Sequence, residues 1–146
     1  MQLPISAESA GRLAFYKGNG GYGVLGPRGW YCLHAYGSGG GSLMVSPVPI
    51  DAREVFSTRD DRIGGPLIEL AHYNGGTSGR MNVAGLIASV FPSRMAFARE
   101  VIEMFPFLAD TFHDGPYPSD HLTRKGDNVV EYETPAQAEG LGTYSK

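Results

Sequence analysis

Glycine is the feature that most constrains this fold. It supplies 21 of 146 residues, about twice the ordinary share of ~7%. The glycines gather within residues 18–29, 37–41, 64–65, 75–79 and 140–142, with no fixed period. Such clusters read as turns between short elements rather than as a collagen or solenoid repeat. Many tight connections imply many strands.

Charge narrows the partners. Lys and Arg number 12 against 15 Asp and Glu, with both signs interspersed and a net charge of −3. No basic stripe exists to neutralise a phosphate backbone, so nucleic acid is not an expected partner. The longest apolar run, Val83 to Phe91, is interrupted by Gly85 and Ser89. It falls far short of the ~18–20 residues a membrane span needs. The first ten residues have neither a positive n-region nor an apolar h-region, and the expectation is a chain without an export signal. A single cysteine, Cys32, forms no internal disulfide and leaves the compartment open.

Along the chain, Leu13 to Lys17 and Tyr22 to Leu25 read as a hairpin around Gly18-Asn19-Gly20-Gly21. Trp30 to Tyr36 is the clearest extended run. Its alternation places Trp30, Cys32, His34 and Tyr36 on one face. Residues 37–42 read as a wide Gly/Ser loop before a strand at Leu43 to Val45, and Asp51 caps a short helical turn through Phe56. Arg59 to Arg62 reads as a solvated loop, and Leu67 to Tyr73 as another strand. Asn82 is the expected N-cap of a helix from Val83 to Val90, with Pro92 opening a second helix. In that second helix Phe97, Val101, Met104 and Phe105 form the apolar stripe. Residues 106–127 read as a long loop, and Asn128 to Glu133 as the last strand. The predicted fold is α+β: a mainly antiparallel sheet with one kinked helix or helix pair, residues 82–105, packed on it. The expectation is one domain over 1–146, truncated at one or both ends.

Few constellations here carry chemistry. Gly18-Asn19-Gly20-Gly21-Tyr22-Gly23 matches G-x-G-x-x-G, yet no helix follows to receive a phosphate, and hairpin turns explain it. G-x-S-x-G is absent. Cys32 is the one candidate thiol nucleophile, and it needs a base such as His34 or His72. The plainer reading makes it a small core residue beneath Trp30. His113, Asp114, Asp120 and His121 offer two imidazoles and two carboxylates in nine residues, but at no helical metal-ligand spacing. They stand only as weak metal candidates, and no cofactor is expected.

The most distinctive segment is Pro27-Arg28-Gly29-Trp30-Tyr31-Cys32, with Val45-Ser46-Pro47 and Tyr132-Glu133-Thr134-Pro135 further on. It resembles a P-R-G-W-x-C signature of uncharacterised bacterial proteins, many of them exported or envelope-linked. That resemblance implies no activity, and it implies a periplasmic or envelope setting if the native N-terminus lies upstream. Physically, Pro27 and Gly29 shape a turn that delivers Trp30 into a core or groove. Tyr22, Arg28, Trp30 and Tyr36 are the candidate ligand-binding residues. The expected function is a non-enzymatic bacterial binding or interaction module for a protein or small-molecule ligand. The alternative is a cysteine-dependent hydrolase or transferase using Cys32 with a distant His.

Overall fold

The computed structural model describes residues 5–55 and 65–142. The chain divides into two compact units, Met1–His72 and Tyr73–Lys146. The charged run at residues 59–62, read above as a solvated loop, lies outside the described residues, as does Phe56.

The first unit opens with a helix that its sequence barely announces, α1 (Ala7–Arg12), capped where the Ser6 hydroxyl accepts from the Ser9 amide at 3.1 Å. Six residues cannot hold a helix alone in water. Arg28 completes it: the guanidinium donates to the carbonyls of Gly11 (3.1 Å), Ala10 (3.3 Å) and Leu13 (2.8 Å). A cation at the helix C-terminus satisfies orphan carbonyls and opposes the macrodipole.

Strands β1 (Leu13–Lys17) and β2 (Gly23–Pro27) pair antiparallel with Phe15 opposite Leu25, as the glycine turn predicts. Gly29 takes the left-handed conformation expected of it, φ +87°. Trp30 falls just outside β3 (Tyr31–Gly37), its amide donating to the Tyr16 hydroxyl at 2.9 Å. That hydroxyl itself donates to Pro27 at 2.7 Å, so one phenol locks the β2–β3 connection.

β3 pairs with β4 (Gly40–Ser46), and β5 (Ile68–Tyr73) completes a sheet of order β3-β4-β5. The wide Gly/Ser loop expected at 37–42 is absent. Gly37 pairs with Gly40 across a two-residue turn, and Gly41 and Ser42 belong to β4. Leu43, Met44, Val45 and Ser46 are all buried, as befits a central strand covered on both faces. Asp51 caps the short α2 (Ala52–Val55) as expected, its carboxylate accepting from the Arg53 amide at 2.8 Å.

In the second unit, α3 (Arg80–Val90) begins one turn earlier than Asn82 predicts, with Gly79 at its N-cap. The Arg80 side chain donates to the carbonyls of Thr77 and Gly76, both at 2.9 Å, and so fixes this earlier start. The helix breaks before Pro92, which lacks an N–H and disfavours helical backbone at the residue before it. A 3₁₀ turn (Pro92–Arg94) then leads into α4 (Met95–Met104).

The apolar stripe predicted to lie on a sheet is closed by the two helices on each other. Ala84, Ala88, Ala98 and Val101 form the buried centre, with Ile87, Met95, Phe97, Phe105 and Phe112 packed around it. Met104, expected in the stripe, is 47% exposed, and the small Ala98 takes the central place. Alanine at the crossing lets the helices approach closely.

The expected loop over 106–127 is largely ordered. Its start is a 3₁₀ helix (Pro106–Thr111), and its end is β6 (His121–Gly126), paired with β7 (Val129–Glu133). Arg124 donates to the terminal α3 carbonyl of Val90 at 2.8 Å, and Arg94 to Asn128 at 2.9 Å, tying this hairpin to the helices. Among the described residues no helix is long and apolar enough to cross a membrane. The α+β class predicted from the sequence is the class observed.

Candidate functional site

Hairpin β1–β2 lies across one face of the β3-β4-β5 sheet. A Cβ at Gly26 would meet Ile68 at 3.4 Å, and one at Gly18 would sit 2.7 Å from the His34 ring. The face is the one carrying Cys32, His34 and Tyr36, since residues two apart on a strand share a side.

At the turn end of this two-layer stack, four rings gather. His34 stacks on Tyr36 with centroids 5.5 Å apart, and Tyr22 leans over His72 at 5.0 Å. The register joins the pairs, because Tyr36 sits directly opposite Gly41 and a Cβ there would lie 2.8 Å from the His72 ring. Only a residue without a side chain leaves His72 that seat. His34 is further held by the Asn19 amide, which donates to Nδ1 at 3.4 Å.

The outer members stay in solvent. Tyr22 is 60% exposed and Tyr36 75%. Exposed tyrosines normally pack on something or swing freely; these two are backed by imidazoles seated on glycine. The result is a preorganised surface of apolar ring faces with hydroxyl groups at their edges, suited to stacking and to hydrogen bonding by one partner.

The structure separates the four candidate ligand residues. Tyr22 precedes β2 and Arg28 follows it, and five strand residues at about 3.3 Å each put them at opposite ends of the stack. Trp30 precedes β3 and Tyr36 lies near its far end, so most of a strand separates them too. Tyr22 and Tyr36 therefore belong to the ring cluster, whereas Arg28 and Trp30 serve the β2–β3 connection and α1. His34 and His72, singled out as bases for Cys32, are instead the inner rings of the cluster.

Cys32, expected in the core beneath Trp30, is exposed. It lies on the edge strand of its sheet, opposite Val45 of the buried central strand. Among the described residues no hydrogen bond joins it to either histidine.

The weak metal candidates go to separate tasks. His113 places Nδ1 2.8 Å from the Gly115 carbonyl and stacks on Tyr117, while Asp120 accepts from the Thr134 hydroxyl and from the Leu141 amide at 3.0 Å. Asp114 and His121 are exposed. Among the described residues no three such side chains form a metal-holding group.

Sequence reasoning found all four rings but not their convergence, which depends on the β3–β4 register. The signal available was Gly41 itself, a glycine inside a strand marking the close approach of another group. Comparisons with protein-family models, with curated proteins and with solved structures find no significant match.

Proposed function

We propose that this chain is a non-enzymatic binding module that holds a protein or small-molecule partner on the ring cluster of its first unit. The observation that carries this reading is the combination of exposure and ring support at Tyr22 and Tyr36, Tyr36 stacked on His34 and Tyr22 packed at a tilt on His72. Large rings held in place before binding lose little conformational freedom on contact, which is why tyrosines dominate recognition surfaces. The partner class follows from the cluster's chemistry: an extended peptide or an oligosaccharide, either of which offers apolar faces for stacking and polar groups for the tyrosine hydroxyls.

Selection against an immobilised full-length chain tests this, using a phage-displayed peptide library and a set of neutral oligosaccharides. Ligands enriched on the wild type are expected to lose at least about 10-fold in affinity to a Tyr22→Ser, Tyr36→Ser double variant, since two central anchors are removed. Both positions are exposed, so the variant keeps its fold. Equal enrichment on both proteins would contradict the proposal.

A further inference from the structure

The second unit contains a cleft of about 410 Å³, within the ~300–1,000 Å³ common to small-molecule sites. Its lining residues run from Tyr73, the last residue of β5 and the first of the second unit, to Leu141, and none belongs to the ring cluster.

Three segments wall it together with Tyr73 at the end of β5. One is the face of α3 carrying Asn82, Gly85, Leu86 and Ser89, positions three or four apart that line one side of a helix. The second is the segment bearing Phe112, His113 and Tyr117, pinned to the end of α3 where the Gly115 amide donates to the Ala88 carbonyl at 3.0 Å. The buried Ser89 hydroxyl adds a longer contact of 3.4 Å to the His113 carbonyl. The third is the tail at Gly140 and Leu141. It is anchored through Asp120, which accepts the Leu141 amide at 3.0 Å, and through Thr134, which accepts the Gly142 amide at 3.0 Å. The three pinned segments shape an open cleft, with one side left to solvent.

Its chemistry is specific. Among the described residues no Asp, Glu, Lys or Arg lines it, so a charged ligand would lose part of its hydration with no counter-ion in return. Phe112 and the stacked His113–Tyr117 pair, with ring centroids 3.8 Å apart, present flat apolar faces. Besides the Tyr117 hydroxyl, two polar groups with a defined directional role face a ligand. The Asn82 amide, a donor and an acceptor, has no hydrogen bond among the described residues. His113 spends Nδ1–H on the Gly115 carbonyl, so in the neutral ring Nε2 is fixed as an acceptor.

From these features we infer that the cleft binds an uncharged planar heterocycle whose edge carries an adjacent donor and acceptor, the pattern of a lactam or amide ring. Asn82 reads that edge and His113 Nε2 takes its N–H.

Amide-resolved NMR of the isotope-labelled full chain tests this with three fused-ring probes: quinazolinone (a lactam edge), quinoline (an acceptor only) and naphthoate (charged). Quinazolinone is expected to give saturable shifts at Gly85, His113 and Gly140. Quinoline is expected to bind roughly 5-fold more weakly, and naphthoate not measurably, because unpaired polar groups and buried charge are both penalised. Asn82→Ala, an exposed helical position that alanine suits well, should weaken quinazolinone by roughly 5-fold, because the donor to its ring carbonyl is lost. An unaltered spectrum away from the cleft verifies that this variant folds. The inference is overturned if quinazolinone leaves those three signals unmoved, if naphthoate binds equally well, or if Asn82→Ala binds quinazolinone like the wild type.

Discussion

Ala98→Leu is expected to destabilise the chain by about 1–3 kcal/mol, the usual cost of forcing extra methylenes into a filled core. Ala98 and Ala84 are wholly buried at the contact between α3 and α4, and Val101 is equally enclosed. Leucine adds three heavy atoms at a place where the helices already touch. Either the helices move apart and strip Ala84 and Ala88 of contacts, or the new side chain takes a strained rotamer. Leucine's extra apolar surface does not offset this, because no space receives it. Met104→Ala on the same helix is the control: that side chain is 47% exposed, and surface changes of this kind stay within about 0.5 kcal/mol. Chemical denaturation measures both, read as a midpoint shift at constant m-value. A stability for Ala98→Leu equal to that of the wild type would show that the helices do not pack as described.

The second large effect is expected at Gly41→Val. A Cβ there would lie 2.8 Å from the His72 ring, 3.1 Å from the Ala35 carbonyl oxygen and 3.4 Å from the Tyr36 Cβ. His72 is exposed and swings aside; the Ala35 carbonyl belongs to the paired strand and cannot. Valine gains strand propensity over glycine, worth up to about 1 kcal/mol, while the clash costs about 1–3 kcal/mol. The clash prevails, and stability falls modestly. Partner binding falls further, because displacing His72 removes the support under Tyr22. Loss of binding that exceeds the loss of stability, measured on the same samples, is the expected result. A Gly41→Val protein that binds like the wild type would separate His72 from the recognition surface.

Much of this architecture was legible because its signals are local. The turn at Gly18-Asn19-Gly20-Gly21 specifies the first hairpin, Pro92 the break between α3 and α4, and Asp51 the cap of α2. The elements that escaped are those whose stability comes from partners distant in sequence. β6 has only Leu122 half-buried among exposed polar residues, and it exists because β7 pairs with it and Arg124 reaches Val90. α1 depends on Arg28, sixteen residues beyond its end. Residues 40–42 look like a linker by composition, yet the missing side chain of Gly41 makes room for His72 while their backbone pairs normally. The helix stripe departs from its expected membership for a related reason: size favours Met104 as a core residue, whereas a close crossing favours Ala98.

The site was legible in its parts. Tyr22 and Tyr36 were expected at a ligand, His34 and His72 beside a thiol, and no single pattern assigned them to one surface. Their union follows from Tyr36 facing Gly41, and register is a property of pairing that spacing along one strand does not reveal. The cleft of the second unit was less visible still. Tyr117 and Leu141 come from irregular segments with no periodicity, and His113 was read for metal rather than as a fixed acceptor.

Ring-resolved carbon NMR of the full chain, titrated with the tightest peptide or oligosaccharide from the selection, tests the central claim most directly. The account predicts that the ring signals of Tyr22 and Tyr36 shift first and furthest, that those of His34 and His72 follow, and that Phe15, whose ring is 61% exposed on the outward face of β1, stays still. Shifts centred on Trp30 or spread evenly over all exposed rings, with Tyr22 and Tyr36 unmoved, would contradict it.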